Sequence, residues 1–127
     1  MIYKDIIDKY YPQNDELKQL LLKHSSDVAE KAIDIVRRHP ELGADAQFVH
    51  EAAMLHDIGI CRTNAPSIHC HGTDPYILHG INGGRMLRNE GLPELARVCE
   101  RHTGTGITRQ QIIDRNLPLP PGDYCPE

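Results

Sequence analysis

A chain of 127 residues has room for one domain with a real core and not for two. Its 14 Lys and Arg against 18 Asp and Glu leave a net charge of −4, which argues against a surface dedicated to nucleic-acid backbone. A small phosphorylated substrate stays open, because a pocket needs only a few local cations.

With no Trp and a single Phe, the core must be built from Leu, Ile, Val, Ala and Met, which suits helices. Residues 2–11 read as a short first helix stopped by Pro12. Asn14 or Asp15 can cap a longer one that runs to Arg38, with Pro40 beyond its end. Along it Leu17, Leu21, His24, Val28, Ala32 and Ile35 repeat at helical spacing, so His24 is expected in the middle of a buried stripe. After Gly43 a third helix carries Ala46, Val49, Ala53 and His56 on one face. Ile58-Gly59 is expected to end it, glycine being a natural helix terminator.

Residues 60–78 differ in kind. Thr63-Asn64-Ala65-Pro66-Ser67 and Gly72-Thr73-Asp74-Pro75 are turn chemistry, with His69-Cys70-His71 between them. A loop of this length directly after His56-Asp57 is expected to form a wall or lid of a pocket. A fourth helix covers His79 to Glu90, with Gly83-Gly84 permitting close approach by a neighbour. Gly91 ends it, and Pro93 opens a fifth helix with Leu95, Val98, Cys99 and His102 on one side. Thr108 can cap a last short helix holding Ile112 and Ile113. The run Leu117-Pro118-Leu119-Pro120-Pro121-Gly122 cannot be helical and should run extended. The expectation is an all-α bundle of about five to six helices, with a long loop after the His-Asp pair and a proline-rich tail. No apolar run approaches a membrane span, and Met1 opens no signal-peptide pattern. The cysteines at 61, 70, 99 and 125 form no Cys-x-x-Cys pair, which reads as reduced thiols in a cytoplasmic protein.

The chemistry concentrates on His24, His56, Asp57, His79 and His102. A buried imidazole is unfavourable unless something satisfies it, and several converging on one interior suggest a metal. Imidazole and carboxylate together suit Zn, Mn, Fe or Ni, with Mg also open. Adjacent His and Asp on a helix point about 100° apart, so both reach one ion only near a helix end, where His56 and Asp57 stand. A bound divalent cation lowers the pKa of its water and polarises a phosphoryl oxygen, which is what phosphate-ester hydrolysis requires.

His24 together with His56-Asp57-Ile58-Gly59, followed by His79-Gly80 and His102-Thr103-Gly104, resembles the HD-domain metal-dependent phosphohydrolases, in particular their HDIG-type branch. The resemblance covers nearly the whole chain and implies a single HD-type domain over residues 1–127. It implies an all-helical fold with a mono- or dinuclear centre that hydrolyses phosphomonoesters or phosphodiesters, often of nucleotides, by metal-activated water. Carried over by position, it makes His24, His56 and Asp57 metal ligands. His79 and His102 match the extra histidines of dinuclear members, and Asp57, His79 and His102 take the catalytic roles. The family motif closes with a further Asp near the C-terminus. Asp114 and Asp123 are the candidates by type, and neither sits in a convincing match, so a shortened domain is expected. In that case the alternative is a regulatory module that binds metal or nucleotide without turnover; a third option is a structural metal site filled by four protein ligands.

Other residues carry plainer readings. His50 is an edge histidine, and His69 and His71 are solvated loop side chains. Lys31, two turns after His24, and Arg62, just past the HDIG turn, are candidates to meet a substrate phosphate. Cys61 and Cys99 are small apolar residues. Self-association is an option if apolar surface is left uncovered.

Overall fold

The computed structural model describes residues 2–126, and the chain divides into two compact units, one ending at Leu55 and the other beginning at His56. The first unit holds three α-helices. α1 spans Ile2–Tyr10 and buries Tyr3, Ile6 and Ile7. α2 spans Glu16–Arg38, and α3 spans Ala46–Leu55. Asp15 caps α2 by accepting from the backbone N–H of Lys18 at 2.9 Å, a local device readable from the sequence. Both α1 and α2 pack on α3, whose last turn, Ala52-Ala53-Met54-Leu55, is buried throughout.

The buried stripe of α2 is Leu21, Ser25 and Ala29, spaced i, i+4, i+8. It lies one position from the predicted one, so His24 is exposed and Ile35 is 42% exposed. Small side chains explain the offset. Ser25 and Ala29 let α2 approach its neighbour closely, where a histidine would hold it off.

In the second unit the helix that was expected to run into Ile58-Gly59 has already stopped at Leu55. A 3-10 turn over Ile58–Arg62 follows, then a two-stranded antiparallel ribbon, β1 (Asn64–Ala65) and β2 (Cys70–His71), with Asn64 opposite His71. The stretch 60–78 is therefore ordered by short turns rather than open. Thr63 is fully buried, its hydroxyl donates to the Ile60 carbonyl at 2.8 Å, and its own carbonyl accepts from Gly72 N–H at 2.8 Å. Asn82 Nδ2 donates to Asp74 Oδ2 at 3.1 Å and ties the stretch to the next helix.

α4 spans His79–Asn89, α5 spans Pro93–Arg101 and α6 spans Arg109–Arg115. Gly59 has no left-handed backbone; it is glycine because a Cβ there would lie 2.1 Å from the His79 carbonyl oxygen and 2.4 Å from Gly83 N. Gly80 meets α5 in the same manner, a Cβ falling 2.5 Å from the Cys99 carbonyl oxygen. The 3-10 turn, α4 and α5 thus pack backbone against backbone. α6 begins with a full capping box, Thr108 to Gln111. The proline-rich tail is non-helical and folds back, with Ile107 bridging Tyr124 and Leu119 packed with Ile81 and Ile112. No helix among the described residues is long and apolar enough to cross a membrane.

Candidate metal centre

Asp57 occupies the step between α3 and the following 3-10 turn, with φ −105° and ψ 15°, close to the sparsely used bridge region where many site residues sit. Its side chain is 11% exposed. Oδ2 lies 3.2 Å from His56 Nε2. Oδ1 lies 2.9 Å from His102 Nε2 and 3.4 Å from His79 Nε2. The His56 and His102 rings meet edge to face at 5.0 Å between centroids. Within the second unit, then, one carboxylate is surrounded by three imidazoles: His56 beside it in the chain, His79 at the start of α4 and His102 just past the end of α5.

The orientation of two of these rings is fixed by backbone. His79 Nδ1 is 2.7 Å from the Tyr76 carbonyl oxygen, and His102 Nδ1 is 2.7 Å from the Cys99 carbonyl oxygen, each three residues upstream. A carbonyl can only accept, so each Nδ1 carries the proton and donates it. In the neutral ring Nε2 is then the lone-pair nitrogen. The two Nε2 atoms lie 3.0 Å apart and both face Asp57 Oδ1. Two lone pairs and a carboxylate oxygen aimed at one another repel unless positive charge stands among them. These ligand atoms of Asp57, His79 and His102 all lie within 4.8 Å of one another, and nitrogen with oxygen donors is the set that divalent transition metals take. The residues present fit a metal. The backbone carbonyls that hold both rings are the outer layer usual for ligating histidines.

Without a metal, ring protons can supply that positive charge instead: burial alone would raise the Asp57 carboxyl, but hydrogen bonds donated by protonated His102, His56 and His79 outweigh it and hold the group well below the usual carboxylate range. The carboxylate itself therefore stays ionised. Burial, with the Asp57 charge beside it, pushes the Cys99 thiol up to about 12.

His24 and Lys31 stand exposed on α2 of the first unit. Arg62 is exposed, its carbonyl accepting from Asp74 N–H at 3.1 Å. His69 is exposed in a left-handed turn at φ 64°, and His71 is exposed on β2. Neither belongs to a metal-binding group among the described residues. His50 meets Tyr3 edge to face at 5.4 Å in the first unit. Asp114 is exposed and accepts from Gln110 Nε2, and Asp123 is exposed and accepts from Arg109 N–H; neither belongs to a metal-binding group among the described residues. Cys61 is a thiol donating weakly to the Ile58 carbonyl at 3.7 Å.

Two contributors escaped the sequence reading. Tyr76 supplies the carbonyl for His79 and also stacks on its ring, with centroids 4.4 Å apart and planes 25° from parallel. Cys99, read as a small apolar residue, supplies the carbonyl for His102. The common signal was the three-residue offset before each histidine.

The chain is 37% identical over 109 residues to an uncharacterized protein of Methanocaldococcus jannaschii, covering 84% of this chain and 57% of that one. It is 31% identical over 132 residues to a tRNA (cytidine(56)-2'-O)-methyltransferase of Picrophilus torridus, covering 94% of this chain and 33% of that one. The chain thus spans between one third and somewhat over half the length of these relatives. No solved structure gives a significant match. The sequence model of the HD domain matches residues 21–124, a span that contains every histidine around Asp57, and the chain belongs to the HD domain family.

Proposed function

We propose that this protein is a metal-dependent phosphohydrolase acting on a small phosphomonoester or phosphodiester, with a nucleotide among the fitting substrates. The observation that carries the reading is the pair of backbone-anchored imidazoles whose Nε2 atoms, 3.0 Å apart, face a buried carboxylate. A divalent cation bound there would polarise a phosphoryl oxygen and make a water acidic enough to act near neutral pH.

Asp57 provides the permanent negative charge. Its part is to bind the cation and to orient the attacking water through its oxygens. His79 and His102 present Nε2 in fixed directions, which would place a bound cation without reorganisation. His56 reaches the other carboxylate oxygen and belongs to the same ligand set. His24 enters that set from the family resemblance, and Lys31 and Arg62 are proposed phosphate contacts on their type and sequence position. One relative bears the name of a tRNA methyltransferase, which favours a substrate of nucleotide origin. A cytoplasmic setting belongs to the same proposal.

The test is hydrolysis of an aryl phosphate and a panel of nucleotides by protein stripped of metal and reloaded with Mn, Ni, Co or Zn. Turnover that requires metal and disappears in Asp57→Ala supports the reading. Metal bound without turnover supports the second reading, a binding or regulatory module.

A further inference from the structure

The segment that leads into α4 is paired with the one that leaves Asp57, and Asp74 is where the two are joined. Its backbone N–H donates to the Arg62 carbonyl at 3.1 Å, and its own carbonyl accepts from Asn64 N–H at 2.8 Å. Its carboxylate serves a third element, accepting from Asn82 Nδ2 of α4 at 3.1 Å. A carboxylate only accepts, so the amide must turn its nitrogen toward Asp74. Asn82 is 6% exposed, in a buried stretch of α4 whose neighbours are Ile81, Gly83 and Gly84. A buried amide is unfavourable unless it is bonded, and a bond to an ionised acceptor is of the stronger kind.

This bond lies close to a metal ligand by way of the chain. Asn82 stands three residues after His79, so the two are neighbours on one side of the helix. Asp74 stands two residues before Tyr76, whose carbonyl accepts from His79 Nδ1 at 2.7 Å. Only Pro75 separates them, its φ of −55° restricted by the ring. The two hydrogen bonds therefore bracket the entry into α4, and the carbonyl that aims the imidazole is held from both sides.

We propose that Asn82, acting through Asp74, is a positioning residue that keeps the Tyr76 carbonyl on His79 Nδ1 and so aims His79 Nε2 at the metal. The inference rests on the metal-dependent reading and adds the residue pair that sets the direction of one ligand. His102 is aimed separately, by the Cys99 carbonyl of α5. Loss of the Asn82 bond should disturb the first imidazole and spare the second.

The test follows the ring N–H protons of His79 and His102 by NMR in the full chain, metal-free and carrying isotope-labelled histidine. Both Nδ1–H signals should be visible in wild type, because each proton is bonded to a carbonyl and protected from exchange. In Asn82→Leu and in Asp74→Ala the His79 signal should vanish while that of His102 stays. Asp74→Asn keeps an acceptor oxygen for the amide and should retain both. Calorimetric titration should show Mn affinity about tenfold weaker in the two disrupting variants and close to wild type in Asp74→Asn. The double variant should be no weaker than either single one, since both remove the same bond. A His79 signal absent from wild type, retained in both disrupting variants, or lost together with that of His102 would overturn the positioning role and leave the metal reading standing. Selective loss of the His79 signal in a protein that binds no Mn even as wild type would uphold the positioning and overturn the metal reading.

Discussion

The neighbours of Asp57 decide most of what this site can do, and they set its response to pH. Its carboxyl is held well below the usual range because three imidazoles favour the charged form more than burial opposes it. A group whose pKa is lower folded than unfolded contributes stability above its unfolded value, about 3.9, and loses that contribution as pH falls toward the folded value. Melting of the metal-free wild type should therefore drop more steeply below about pH 4 than melting of Asp57→Asn, which has no carboxyl to protonate. Parallel melting curves for the two would contradict the assignment. Metal binding gives a sharper discrimination. Outer-layer partners of ligating histidines are worth about 10- to 100-fold in affinity, so Asp57→Ala and His56→Ala should each cost at least about a hundredfold. His69→Ala, in an exposed turn, should leave affinity unchanged. Titration with Mn by calorimetry reads all three. Cys99 offers a separate check. With its thiol pushed up to about 12 and its side chain fully buried, it should resist alkylation at pH 8 until the protein is denatured.

At the scale of elements, the centre is held by glycines rather than by side-chain packing. Gly59 and Gly80 let the 3-10 turn and α5 press against α4, the helix whose first residue is His79. The atoms that an added Cβ would strike are backbone, which cannot swing away. Gly59→Ala is expected to destabilise by about 3 kcal/mol or more, at or beyond the upper end for overpacking, and to weaken metal binding by displacing His79. Gly91 is the contrast. It has φ +75° and open space around it, so Gly91→Ala carries only backbone strain of about 1 kcal/mol and should leave the metal site intact. Thermal melts with metal titration separate the two cases.

The same elements show what a sequence can and cannot disclose. The Asp15 cap of α2 and the Thr108 capping box of α6 are bonds between residues three apart, and they were legible. So were the His-Asp pair and the two later histidines, as types at helix-compatible places. The register of α2 was not. A stripe that includes His24 and one that includes Ser25 differ by a single position, and periodicity does not choose between them. Only the preference for small residues at a close helix contact selects Leu21, Ser25 and Ala29. Gly59 was misread for a related reason, since a glycine that ends a helix and a glycine that admits a neighbouring backbone look identical in one chain. Tyr76 went unnoticed because its contribution comes from a carbonyl and a stacked ring.

For the molecule as a whole, folding and metal binding should be linked. An ion that binds the folded state alone stabilises it by about 2.7 kcal/mol at a hundred times its dissociation constant. For a chain of this size that is on the order of 10 °C in Tm. The rise should appear in wild type and vanish in Asp57→Ala. The chain belongs to the HD domain family, whose members are commonly metal-dependent hydrolases. The relatives extend well beyond the matched portion, so what else acts on the substrate in those longer proteins is theirs to show. The most direct single measurement is metal content after equilibrium dialysis against Mn, wild type beside Asp57→Ala. At least one ion per chain in wild type and none in the variant is the predicted result. A full complement of metal retained without the Asp57 carboxylate would contradict the account.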